Sequence, residues 1–125
     1  MKIIKLLLAI MIAFTTFQSA NAQSDKTERA KNFGTKTATI KVSGTCSMDK
    51  RRIETAAYLV DGVKSAFWDE YTQALTLTYS VFKKDAAENA QRKIASFGND
   101  TEKYKADDAA YNKLPDCCHY QRIKS

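Results

Sequence analysis

Lys36-Thr37-Ala38-Thr39-Ile40-Lys41-Val42-Ser43-Gly44-Thr45-Cys46-Ser47-Met48-Asp49-Lys50-Arg51-Arg52-Ile53 is the stretch on which the fold turns. Ala38, Ile40 and Val42 alternate with Thr37, Thr39, Lys41 and Ser43, the period of two that a half-buried strand requires. Gly44 ends the run. Beyond the Cys46 loop, Ile53, Ala56, Ala57 and Val60 fall at i, i+3, i+4 and i+7, one apolar stripe of a helix. Ser47 is the expected N-cap, and Asp61-Gly62 closes the helix. A strand therefore runs through a short loop into a helix, with Cys46 at the junction. Unpaired N–H groups at such a helix start favour a thiolate over a thiol.

Working outward, Val63 to Trp68 and Ala74 to Tyr79 read as two further strands joined by a hairpin over Asp69 to Gln73. Leu75, Leu77 and Tyr79 share one side of the second. A second helix is expected from Asp85, with Glu88 three residues on as in a capping box. Ala87, Ala90, Ile94 and Phe97 form its apolar face and Gly98 its stop. Thr101 to Ala106 reads as a last strand. The order β-α-β-β-α-β in about 70 residues predicts an α+β, ferredoxin-like fold. It consists of four antiparallel strands in one sheet, with both helices on one face.

Upstream, Lys2 and Lys5 precede an apolar run from Ile3 to Phe14, and Ala20-Asn21-Ala22 follows as an A-x-A cleavage signal. Residues 1–22 are thus expected to be a signal peptide, and the mature chain to be periplasmic or secreted, with no membrane span. Residues 23–35 are a polar leader, 36–106 the domain, and 107–125 a C-terminal extension. The formal net charge of +6 falls to about +4 without Lys2 and Lys5, with acidic and basic residues mixed throughout. That pattern, and secretion, argue against a nucleic-acid partner.

The chain holds three cysteines and one histidine. Cys117, Cys118 and His119 stand together in the extension, a dense soft-donor set. Cys46 is either a reactive thiolate, favoured by Lys50, Arg51 and Arg52 close behind, or a buried small hydrophobe. Met48 is either a soft thioether donor or a core residue beneath the loop. The reach of the extension matters here. The last strand should finish about 23 Å from Cys46. A short helix over Asp108 to Leu114 returns about 10 Å, and extended Pro115 to Cys118 about 13 Å. A path laying Tyr111 and Leu114 along the domain just brings Cys117, Cys118 and His119 to Cys46.

Gly44-Thr45-Cys46 with its helix, Asp61-Gly62-Val63, Trp68-Asp69 and Ile94-Ala95-Ser96-Phe97-Gly98 resemble the heavy-metal-associated domains of copper chaperones, copper-transporting ATPases and periplasmic mercury-binding proteins. The resemblance covers Lys36 to Ala106. That family's loop is usually G-M-T-C-x-x-C. Cys46 matches the first cysteine, Asp49 stands in place of the second, and Gly44 in place of the methionine. A carboxylate is a hard ligand that cannot replace a thiolate for Cu(I), although it suits Zn(II) or Cu(II).

The resemblance implies a soft-metal carrier or scavenger, with Cu(I) preferred and mercury or zinc behind it. Cys46 with Cys117 or Cys118 would bind, and His119 and Met48 would assist. A metal-efflux or acceptor protein would be the partner. The alternative is a non-metal interaction module of the same fold, stapled by a Cys46–Cys117 or Cys46–Cys118 disulfide. A thiol redox protein ranks last, since no C-x-x-C motif is present. No Ser/His/Asp constellation can be placed, so no enzyme is expected.

Overall fold

The computed structural model describes residues 33–122. The expected signal peptide and most of the leader lie outside the described residues, as do the last three residues. Strand β1 spans Thr35–Lys41, helix α1 Ser47–Tyr58, β2 Val63–Asp69, β3 Ala74–Ser80 and helix α2 Ala86–Ser96. A short helix α3 at Asp108–Asn112 and a 3-10 turn at Asp116–Cys118 follow. No helix among the described residues is long and apolar enough to cross a membrane.

The sheet order is β1-β3-β2, antiparallel throughout. Alternation along β1 and β3 sends Ile40, Leu75 and Leu77 to the helix-covered face, opposite Thr37, Thr39 and Thr76. The apolar stripes of α1 and α2 meet them, and Ile53, Ala56, Ala57, Ala90 and Ile94 are fully buried there. Alanine on both helices permits close approach without large side chains between them. Trp68 is the largest buried residue, and its indole N–H donates to the Val42 carbonyl at 3.0 Å. Full burial of one such apolar side chain contributes on the order of 2–3 kcal/mol. At the edge of the sheet, Lys50 Nζ and Glu54 Oε1 engage the Trp68 carbonyl and N–H at 2.7 and 3.0 Å. An ion pair thus occupies part of the β2 edge, where another chain would otherwise pair.

Three expectations need correction. Instead of a fourth strand over Thr101 to Ala106, there is a single bridge between Val42 and Thr101 on the free side of β1. The position is that of a fourth ferredoxin-like strand, but the backbone turns back on itself. Thr101 N–H donates to the Tyr104 carbonyl at 2.7 Å, and the Thr101 hydroxyl engages Tyr104 again. The Ala106 N–H is taken by the Asp100 carboxylate at 2.8 Å. Local side-chain bonds thus replace ladder bonds, in a stretch without apolar alternation. Second, the residue capping α1 is Cys46, in extended conformation, rather than Ser47. Third, Asp85 does precede α2, but makes no side-chain capping bond. Glu88 turns instead to the Tyr104 hydroxyl and to Arg92.

Candidate metal centre

The loop between β1 and α1 is held on three sides. Its Ser43 N–H and Gly44 carbonyl are fixed by the Asp100 carbonyl (2.9 Å) and the Gln73 side-chain amide (2.7 Å). Gly44 is required by packing. A Cβ there would meet two ring carbons of Trp68 at 2.8 and 2.9 Å and the Asp49 Cβ at 3.0 Å. No larger residue fits where the resembled family carries methionine.

Asp49 organises the interior of the loop. It is fully buried, although it lies in the first turn of α1. Its carboxylate accepts the Thr45 N–H (2.8 Å), Arg52 Nη1 (2.7 Å) and Asn99 Nδ2 (3.0 Å), and its Oδ2 also lies 3.8 Å from Cys46 Sγ. A carboxylate has about four lone-pair sites, so Asp49 is committed to the fold. It is not free to serve a Zn(II) or Cu(II) ion, as its chemistry alone would allow. Asn99 spends its amide on Asp49 and the Ser43 carbonyl, leaving its own buried Oδ1 unpartnered.

The extension does return to this loop. After α3, Pro115 opens the 3-10 turn, whose Cys118 N–H donates back to the Pro115 carbonyl at 2.8 Å. The Thr45 hydroxyl then donates to the Cys117 carbonyl at 2.9 Å. Leu114, Cys118 and Tyr120 form a second small core, against which Cys46 and Tyr111 pack. The anchor of the return path is polar. The buried Tyr120 hydroxyl donates to the Gly98 carbonyl and accepts the Asp100 N–H, both at 2.8 Å. Tyr111 donates to the Tyr120 carbonyl at 2.6 Å, and Arg122 pairs with Asp100 (2.9 Å) and Asp108 (2.7 Å). Neither Tyr120 nor Arg122 stands out in the sequence. A buried hydroxyl aimed at a helix C-terminus has no periodic signature.

Three sulfurs converge as a result. Cys46 Sγ lies 3.1 Å from Cys118 Sγ, and Cys117 Sγ lies 3.8 Å from Cys118 Sγ. All three lie within 4.8 Å of one another, and all three cysteines are free thiols. Cys118 is buried, Cys46 half-buried and Cys117 exposed. Met48 is 48% exposed, so it is no core residue, and its sulfur sits 3.7 Å from Cys117 Sγ. His119 is not brought in: its ring stacks on Tyr111 at 4.9 Å, outside the thiol group.

The Cys46–Cys118 pair is electrostatically split. Burial pushes the Cys46 thiol up. The Cys118 thiol and the N–H groups of Asp49 and Met48, all donating to its sulfur, outweigh burial and hold it below the ordinary range. Cys118 is pushed up to about 12, by burial first and then by donating to Cys46, although Arg52 Nη2 at 3.9 Å opposes this. Cys46 is therefore the more acidic of the two thiols, and Cys118 is the donor in the hydrogen bond between them.

No protein-family profile and no curated protein sequence matches the chain. Among solved structures, it is similar to a CopZ metallochaperone, with 25% identity and a TM-score of 0.49, over 53% of this chain and 98% of that one. A mutant of ZiaAN is similar at 31% identity and a TM-score of 0.45, over 54% of this chain and 94% of that one. The water-soluble region of the P-type ATPase CopA from Bacillus subtilis is similar at 27% identity and a TM-score of 0.46. That match covers 54% of this chain and 44% of the ATPase region, less than half of it.

Proposed function

We propose that this protein binds a soft, thiophilic metal ion through Cys46, Cys117 and Cys118 and hands it on by ligand exchange, as a carrier or scavenger and not as an enzyme. One observation carries the reading: three thiol sulfurs from sequence-distant segments converge within 4.8 Å. Packing alone does not require such a cluster, since any small apolar residue fills a core position as well. The donor set is all sulfur. With Asp49 committed to Thr45, Arg52 and Asn99, no hard donor among the described residues joins the cluster, which favours Cu(I) first, with Hg(II) and Zn(II) behind. Exposed Cys117 and Met48 give an incoming acceptor thiolate a side from which to replace the protein's ligands one at a time. The acceptor is an efflux component or another metal-binding protein. The signal-like sequence of residues 1–22 supports an exchange in the periplasm or outside the cell.

A Cu(I) competition titration of the reduced protein against a chromophoric chelator tests this. Binding no tighter than in the Cys46→Ala/Cys117→Ala/Cys118→Ala variant refutes it. The 3.1 Å separation of Cys46 and Cys118 favours a second reading, a disulfide staple in an interaction module. Mass spectrometry of the secreted protein separates the two. A quantitative Cys46–Cys118 bridge that resists mild reductant establishes the staple.

A further inference from the structure

We infer that the three-thiol site is built for a trivalent, pyramidal thiophile, arsenite or antimonite, as well as for a metal cation. The inference rests on the soft-metal reading and extends its cargo class.

Geometry is the first argument. For a metal–sulfur bond of about 2.3 Å, sulfurs 3.1 and 3.8 Å apart subtend about 85° and 110° at a shared centre. Both angles are far from a straight line, the arrangement of an ion held by two thiolates alone. The third pair, Cys46 and Cys117, lies within 4.8 Å, and two such bonds span about 4.6 Å, so the sulfurs draw together slightly to form the base of a shallow pyramid. A trivalent arsenic or antimony centre with its lone pair takes that shape and needs no fourth donor.

Charge is the second. Within reach of the sulfurs, the buried Asp49 carboxylate is already balanced by Arg52, which also touches Cys118 Sγ at 3.9 Å. The neighbouring Lys50 is paired with Glu54. Three thiolates around a monovalent ion leave two uncompensated negative charges, and around a divalent ion one. Around a trivalent centre they leave none. With Cys118 fully buried and the Asp49 charge already spent on Arg52, a neutral complex is the least costly to desolvate.

The step balances without an oxidant. Arsenous acid, As(OH)3, loses three hydroxyl groups and three cysteine thiols lose their protons. Three As–S bonds form, three waters leave, and arsenic stays trivalent. Cys117, exposed, makes the first bond. Cys118 and Cys46 then close the ring from within.

The test uses the reduced full-length chain, with arsenite and Cu(I) titrated separately. The expected result is one arsenic per chain, the loss of three titratable thiols, and a mass gain of one arsenic less three hydrogens. Cys117→Ser alters an exposed side chain, so the fold survives. It should weaken arsenite binding by about 100-fold or more, since losing a direct ligand costs more than the roughly 10–100-fold of losing an outer-shell partner. Phenylarsine oxide, which needs only two thiols, should bind both forms. Cu(I) binding with no arsenite binding, or with arsenite bound equally by Cys117→Ser, overturns the inference and leaves the soft-metal reading standing. Failure to bind either ion overturns both.

Discussion

Removing the Asp49 carboxylate should unfold the loop that carries Cys46. Asp49→Ala takes away the shared acceptor of Thr45, Arg52 and Asn99. The Thr45 N–H then loses its partner in a part-buried site, worth about 1–3 kcal/mol. Breaking a buried ion pair by deleting one partner costs about 3–5 kcal/mol when the survivor stays buried. Arg52 is 19% exposed and can turn to water, and Asn99 keeps the Ser43 carbonyl, so the lower end applies. The expected loss is therefore about 4 kcal/mol in total, a large share of a small domain's stability. Urea unfolding of the reduced protein, followed by Trp68 fluorescence, measures it. Asp49→Asn keeps an oxygen for Thr45 and should cost less, about 1–2 kcal/mol. The Asp49→Ala/Arg52→Ala double variant should be less destabilised than the two single changes together. A loss below about 1 kcal/mol for Asp49→Ala, or full additivity with Arg52→Ala, refutes the role given to the carboxylate.

Other outcomes follow from the docked extension. Gly98 has φ +110°, and a Cβ there would meet the Ala110 carbonyl and Leu114 Cδ2, both at 2.9 Å. Gly98→Ala should cost about 1–3 kcal/mol and loosen the extension, seen as faster alkylation of Cys118. Tyr120→Phe leaves the Gly98 carbonyl and Asp100 N–H unpartnered, at about 1–3 kcal/mol, and calorimetry should show a lowered Tm. The thiols should titrate in order. Cys46, held below the ordinary range, should keep reacting with iodoacetamide as the pH drops below that of a free thiol. Cys118, pushed up to about 12, should stay unlabelled until the chain unfolds. Equal labelling of the two in the folded state contradicts the split.

The strands and helices of residues 35–96 were legible because each is a local periodic signal. Ile40 with Val42, Leu75 with Leu77, and Ile53 with Ala56 and Ala57 each announce a buried face, whatever the rest of the chain does. Thr101 to Ala106 carries no such alternation, and the strand expected there gave way to bonds from Asp100 and Thr101. Cysteine positions were equally plain, and chain reach allowed the extension to return. Reach is permissive, however, and selects no partner.

The sequence by itself determined the element order as far as Ser96, the place of Cys46 at the start of a helix, and a soft-donor set in the extension. Only the tertiary structure decided which donors meet. It brought Cys117 and Cys118 to Cys46, turned His119 onto Tyr111, left Met48 exposed, and buried Asp49 as a strut. The reason is physical. Periodicity is written into neighbours a few residues apart, whereas the site depends on a return path fixed by single long-range bonds. Tyr120 on Gly98, Arg122 on Asp100 and Thr45 on Cys117 set that path, and none of these repeats along the chain.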